Sequence, residues 1–212
     1  MFFIGAGGHA VSLFETATAA GYAVTGFVGG ANGERTLLNR PVFKSLPEEL
    51  VASEVVLCLA IGDNFSRERA LQDVLARVAI TRFPPLVHPS ALIASTATIG
   101  AASVIMQGAV VGSAASVGAG CILNSTSVLE HESQMKDFSS LATGALTGGR
   151  VLIGQRVALG IGAVVKHGLH IGSDTVVGAA SYVHHDLPSN VVAFGSPAAV
   201  ERERTPDTPY LT

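Results

Sequence analysis

The sequence predicts a small α/β unit of Rossmann-like pattern followed by a parallel β-helix of hexapeptide repeats. The first observation is a six-residue metre. Every sixth residue reads Val87, Ile93, Ile99, Ile105, Val111, Val117, Leu123, Leu129, Met135, Leu141, Thr147, Ile153, Leu159, Val165, Ile171, Val177 and Val183, and only Thr147 breaks the apolar series. The second is a mostly small residue four places after these, as at Ala109, Ala115, Cys121, Ser127, Ser133 and Ser139. Six is the period of the hexapeptide β-helix, whereas a helix repeats near 3.6 and a half-buried strand near 2. The third is the alternation of strand, glycine turn and helix patterns before the metre begins, which means a parallel sheet with right-handed crossovers.

Taken in order, Phe2-Phe3-Ile4 reads as a buried strand that ends in Gly5-Ala6-Gly7-Gly8-His9-Ala10. Ala10 to Ala20 suits a helix stopped by Gly21, and a second strand over Ala23 to Val28 ends in Gly29-Gly30. A third strand, Val55 to Leu59, runs into Ile61-Gly62-Asp63-Asn64 and a charged helix from about Phe65 to Arg77. Phe83-Pro84-Pro85-Leu86 is a stiff junction before the hexads. The chain therefore divides into residues 1–84, a β-helix over 85–200 and a tail over 201–212.

Composition narrows the function. With 24 Gly, 14% charged residues and no Trp among 212, the chain suits stacked coils rather than disorder. A net charge of −3 offers no broad basic surface, so nucleic acid is not an expected partner. No basic leader precedes Phe2-Phe3-Ile4 and no apolar run reaches membrane-spanning length, which points to a cytoplasmic protein without a membrane partner. The two cysteines, Cys58 and Cys121, lie in apolar segments and read as small core residues of a reducing compartment.

The first glycine turn fits G-x-G-x-x-A between strand and helix, so a dinucleotide has to be weighed. Against it, the second strand ends in Gly29-Gly30 where an acid should meet the ribose, and the unit is about half a full dinucleotide fold. A phosphate or sugar-nucleotide at the helix N-terminus fits better. A turn that is merely tight is the bland alternative.

Three hexads make one coil, so residues 18 apart stack at about 4.8 Å. One such column runs Ser95, Ser113, His131, Gly149, His167, His185, and Gly149 is expected to leave bare backbone beside His131 for a ligand. His131 lies between acids in Glu130-His131-Glu132, with Asn124 seven residues earlier. A carboxylate against an imidazole fixes its tautomer and makes it a better proton acceptor, which is general-base chemistry. A solvated polar corner is the alternative. His167 and His185 lie one coil apart, but His131 is two coils from His167, roughly 9.6 Å, too far to share one zinc. No metal is expected.

These pieces together resemble one family. Gly5-Ala6-Gly7-Gly8-His9, Ala60-Ile61-Gly62-Asp63-Asn64, the run from Ile122 to Glu132, Leu159-Gly160-Ile161-Gly162-Ala163 and Gly195-Ser196-Pro197-Ala198 are similar to motifs of the NeuD/PglD-type bacterial sugar acyltransferases. The resemblance implies a left-handed β-helix, a homotrimer, and acetyl-CoA lying between adjacent helices. It implies His131 as base, Glu132 as the carboxylate that raises its basicity, and Gly149, Ile161, Ala179 and Pro197 along the acetyl-CoA. Gly7, Gly8, His9, Gly62 and, with them, Asn124 match the acceptor side. The family often carries paired acids where this chain has Gly29-Gly30, and some members have a second histidine where it has Ser140.

The expected activity is transfer from acetyl-CoA to an amino-sugar, a UDP-linked 4-amino-sugar first, with sialic acid or another sugar hydroxyl as the alternative acceptor. A non-catalytic ligand-binding solenoid is the alternative of another class, and a metal-dependent hexapeptide enzyme a lesser one.

Overall fold

A computed structural model describes residues 1–29 and 36–211. In the N-terminal unit, β1 (Phe2–Ile4) is the central strand, and it pairs in parallel with β2 (Gly26–Val28) on one side and β5 (Leu57–Leu59) on the other. Outside β2 lie β4 (Arg40–Phe43), parallel to it, and β3 (Thr36–Leu37), antiparallel to β4. The two main helices are α1 (Gly8–Ala19) and α3 (Asn64–Leu75), with a short α2 (Glu48–Val51) between them. Helix α1 starts two residues before the expected Ala10, with Gly7 as its N-cap.

The β3–β4 hairpin departs from the expected purely parallel sheet. Its turn places Leu38 and Asn39 at φ 48° and 58°. Leucine at positive φ is rare, so the sequence gives no turn signal there. Gly29 follows β2 at φ +89°, whereas Gly30 lies outside the described residues.

From Leu86–Val87 to Tyr182–Val183 the chain forms two-residue strands that pair in parallel at an interval of 18 residues, as in Val110↔Val128, until the last coil, where Val176 pairs with Val192. Each coil contributes one strand to each of three sheets. The second residue of every strand is the metre residue and points inward: Ile105, Leu123, Leu129, Leu141, Ile153, Val165, Ile171 and Val177 are all within 1% of complete burial. Thr147 fits because its Oγ1 accepts a hydrogen bond from the Glu130 N–H at 3.0 Å. The buried serines are satisfied likewise: Ser133 Oγ donates to the Gly148 carbonyl and accepts from the Val151 N–H. One residue per hexad, from Ala102 through Glu132 to Ala180, turns the corner at φ between 54° and 73°.

The three outward faces differ in kind. One sheet, presenting Leu86, Val104, Ile122, Ser140 and Ala158, is buried under the N-terminal unit and the tail. A second presents only large apolar groups: Leu92, Val110, Val128, Leu146, Val164 and Tyr182. The third presents Thr98, Ser116, Gln134, Leu152 and His170. We call these the covered, apolar and polar sheets. After Leu187, the antiparallel pair Val191–Gly195 and Ala198–Glu203 extends the covered sheet.

The N-terminal unit is docked by core and lock. Met1, Phe3, Ala10 and Leu13 share one apolar cluster with Leu86, Val104 and Met106 of the β-helix. Arg67 on α3 is fully buried and donates to the carbonyls of Gly120 at 2.7 Å, Phe138 at 2.8 Å and Gly62 at 2.8 Å. The same guanidinium reaches Asn64 Oδ1 at 2.7 Å, and the Asn64 amide donates to the Arg156 and Val157 carbonyls. Arg156 closes the seam with Glu68 and Asp174. A buried cation here meets carbonyl dipoles rather than a carboxylate, and its neighbourhood tethers α3 to three successive coils.

Candidate active site

His131 sits on the corner between the apolar and polar sheets, after Val128–Leu129 and before Gln134–Met135. The left-handed conformation of Glu132, φ 56°, turns its carboxylate back, and Oε2 lies 3.1 Å from His131 Nδ1. Glu130 points elsewhere: its carboxylate accepts the backbone N–H of His131 at 3.0 Å. The two acids flanking the imidazole thus have separate contacts. Both His131 and Glu132 side chains are about half exposed, at 49% and 55%.

Gly149 requires a correction. Its Cα face is not bare, because the His131 ring covers it. A Cβ on Gly149 would lie 2.3 Å from Nε2 and 2.4 Å from Cε1. Glycine at this height lets the imidazole lie flat against the next coil. With Nδ1 facing Glu132, Nε2 is the free nitrogen of the ring.

The other predicted residues gather elsewhere. A cavity of about 500 Å³ between the N-terminal unit and the corner joining covered and apolar sheets is lined by Gly8, His9 and Gly62 together with Asn124, Ile161 and Ala179. Residues assigned by resemblance to two different ligands therefore share one cavity. Its wall also includes Ser12, Tyr210 and Leu211, which the sequence did not single out, and Ser140, the position where some family members have a second histidine. Gly7 is on the same turn, exposed, and Pro197 is exposed in the turn between Gly195 and Ala198. His131 and Glu132 do not line this cavity, and His131 belongs to a separate groove with Leu92, Val110, Ser113 and Glu130.

The glycines of the first turn separate by cause. Gly5 is fixed by the fold, with φ +121° and a Cβ that would strike the Ala60 carbonyl oxygen at 2.5 Å. Gly7 and Gly8 have open space where a Cβ would stand, so nothing in the fold itself requires them to be glycine. Both lie at the N-terminus of α1, where amide N–H groups are free to meet an anion. His9 follows in the first turn. Burial, then the nearby Arg67 charge, pushes its pKa down to about 4, so its imidazole is neutral near pH 7. Its Nε2 is buried and has no hydrogen-bond partner among the described residues. Among the described residues no group of three or more His, Cys, Asp or Glu is placed to hold a metal ion, and no helix is long and apolar enough to cross a membrane.

Residues 1–74 match the family model described as the PglD N-terminal domain. Over nearly the whole chain the structure is similar to PerB from Caulobacter crescentus, solved with CoA and GDP-perosamine, at 28% identity and TM-score 0.85, covering 95% of this chain and 96% of that one. Over its first 74 residues the chain is thus similar to the PglD N-terminal domain, in keeping with the NeuD/PglD-type resemblance. A second likeness is to the acetyltransferase domain of PglB from Neisseria gonorrhoeae FA1090, solved with acetyl coenzyme A, at 27% identity and TM-score 0.85, covering 94% of this chain and 98% of that one. Among curated relatives, galactoside O-acetyltransferase of Lactococcus lactis is 47% identical over 60 residues, 28% of this chain and 29% of that protein. The chain thus matches under a third of the length of such curated relatives.

Proposed function

We propose that this protein transfers the acetyl group of acetyl-CoA to the amine of a nucleotide-linked amino-sugar, at a site shared by two subunits of a homotrimer. The observation that carries this reading is His131, held at Nδ1 by Glu132 and lying with Nε2 free against Gly149. Its context adds support, since the solved relatives of the same architecture hold CoA, acetyl-CoA and GDP-perosamine.

The two halves of the site lie on opposite edges of the apolar sheet, the His131 corner on one edge and the Asn124, Ile161 and Ala179 corner on the other. A heterologous contact closed by threefold symmetry buries such a face around the axis and brings one edge of each copy to the other edge of its neighbour. His131 of one copy then meets the acceptor cavity of the next. Gly7, Gly8, His9, Ser12 and Gly62 would hold the nucleotide-sugar, and the Ile161 and Ala179 corner, continued toward Pro197, the acetyl-CoA.

In the reaction the acceptor nitrogen attacks the thioester carbonyl while His131 Nε2 takes its proton. A backbone N–H near Gly149 receives the tetrahedral oxyanion, and collapse expels CoA as thiolate, which takes the proton from the imidazolium. No acyl-enzyme is needed. Burial pushes the Cys58 and Cys121 thiols up to about 12, and neither is near the imidazole groove.

The test is CoA release with UDP-4-amino-sugars, GDP-perosamine and sialic acid as acceptors. Turnover with one nucleotide-linked amino-sugar is expected, and His131→Ala should lower it about 10²–10⁴-fold with little change in acetyl-CoA affinity. Near-normal turnover in that variant would assign the base to another group. Preference for sialic acid would move the reaction to a hydroxyl acceptor.

A further inference from the structure

Residues 204–211 form a strap that returns from the last hairpin to the mouth of the 500 Å³ cavity. Its root is firm. Buried Arg204 donates to the Asp174 carbonyl at 2.5 Å and, folding the strap on itself, to the carbonyls of Thr208 at 2.7 Å and Pro206 at 3.2 Å. The guanidinium also lies 5.9 Å from the centre of the Tyr210 ring. Tyr210 is pinned at its far end, where its Oη accepts the backbone N–H of Asn64, the first residue of α3, at 3.1 Å. That N–H is one of the helix's unsatisfied donors, so the tyrosine acts as a remote cap.

Leu211 is held differently. It is 63% exposed, yet its Cδ1 lies 3.3 Å from where a Gly62 Cβ would stand, beside the His9 side chain. An apolar group thus stands against Gly62 and beside a histidine whose buried Nε2 has no hydrogen-bond partner among the described residues. His9, Gly62 and Leu211 line the same cavity. A loosely held leucine beside an unsatisfied polar atom is a poor permanent arrangement, and a good one to exchange for a hydrogen-bonding ligand.

We propose that the Arg204–Leu211 strap gates the acceptor cavity: the entering nucleotide-sugar displaces Leu211 and supplies the partner that His9 Nε2 lacks, while Tyr210 stays in place as a fixed wall. This rests on the acceptor assignment above. Leu211 then acts on acceptor selection, since a ligand must offer a hydrogen-bonding group at His9 to gain from moving it.

Two variants of the full chain test this. Leu211→Ala should lower the acceptor KM about 3–10-fold, the worth of part of a leucine side chain, with kcat and the acetyl-CoA KM within about twofold. Leu211→Cys provides a reporter, because both native thiols are buried and stay silent toward a water-soluble thiol reagent. Its labelling should accelerate severalfold at saturating GDP-perosamine or UDP-4-amino-sugar, whichever raises the melting temperature, and not with acetyl-CoA alone. A raised acceptor KM in Leu211→Ala, or unchanged labelling with a sugar that demonstrably binds, overturns the gate and leaves the acceptor assignment standing. If no nucleotide-sugar stabilises the wild-type protein, assignment and gate fall together.

Discussion

The corner at residues 130–132 shows how one backbone torsion assigns two identical side chains to different work. Glutamates two apart on an extended strand would share a side of the chain, but the left-handed turn at Glu132 breaks that alternation. The Glu132 carboxylate therefore meets the ring and the Glu130 carboxylate the main chain. Glu132→Gln should reduce turnover at least about tenfold, forfeiting part of what a positioned base contributes. Glu130→Gln keeps an oxygen acceptor for the His131 N–H and should stay within about twofold. The reverse ranking in steady-state kinetics would hand the orienting role to Glu130. Gly149→Ala should be as harmful as losing the base, because its methyl would occupy the space of Nε2. The column made the position of Gly149 beside His131 legible, and the family resemblance singled out Glu132 from the two flanking acids. Neither showed that the ring itself fills the gap, since the metre fixes heights and not rotamers.

His9 makes a separate prediction, on stability. Its folded pKa of about 4 lies below the unfolded value near 6.5, so the unfolded chain binds the proton first as pH falls. The stability this residue permits is complete above pH 6.5 and is lost progressively toward pH 4, by on the order of 2–3 kcal/mol. His9→Gln should flatten that part of a urea-midpoint profile between pH 7 and 4. An unchanged slope would mean that His9 is protonated in the folded protein. A bound acceptor that pairs with Nε2 should also alter the slope.

At the level of elements, the hexad strands were readable because each has one inward residue at a fixed interval, and burial enforces the register. The α3 helix was readable as a helix, with Asp63 capping it through Ser66 N–H, but its charged face did not announce a lock. Arg67 is an arginine among other charged residues in sequence, and only the fold reveals that it is buried against two coils and, through Asn64, linked to a third. Arg67→Leu should cost about 3–5 kcal/mol, because it strands several buried carbonyls at once. Hydrogen exchange should show α3 and the Ile61–Gly62 turn losing protection while the central coils keep theirs, as expected of a repeat stabilised by its neighbours. Equal loss throughout would make Arg67 an ordinary part of one cooperative core. The β3–β4 hairpin and the strap were illegible for a related reason: neither has a periodic pattern, and both are fixed by contacts with residues distant in sequence.

For the whole molecule, the three faces of the β-helix decide the assembly. One is covered within the chain and one is polar, which leaves the column from Leu92 to Tyr182 as the face that a neighbour should bury. Light scattering at micromolar concentration should give a trimer, and Leu146→Glu with Val164→Glu should give monomers lacking turnover. The division of labour between subunits is tested most directly by complementation. His131→Ala trimers lack the base, and Gly8→Trp trimers should lack an open acceptor cavity, so each alone should be inactive. Unfolded together and refolded into mixed trimers, they should regain a substantial fraction of wild-type turnover, because some interfaces pair an intact His131 with an intact neighbouring cavity. Mixed trimers that form, as shown by mass, and remain inactive would contradict a site shared between subunits.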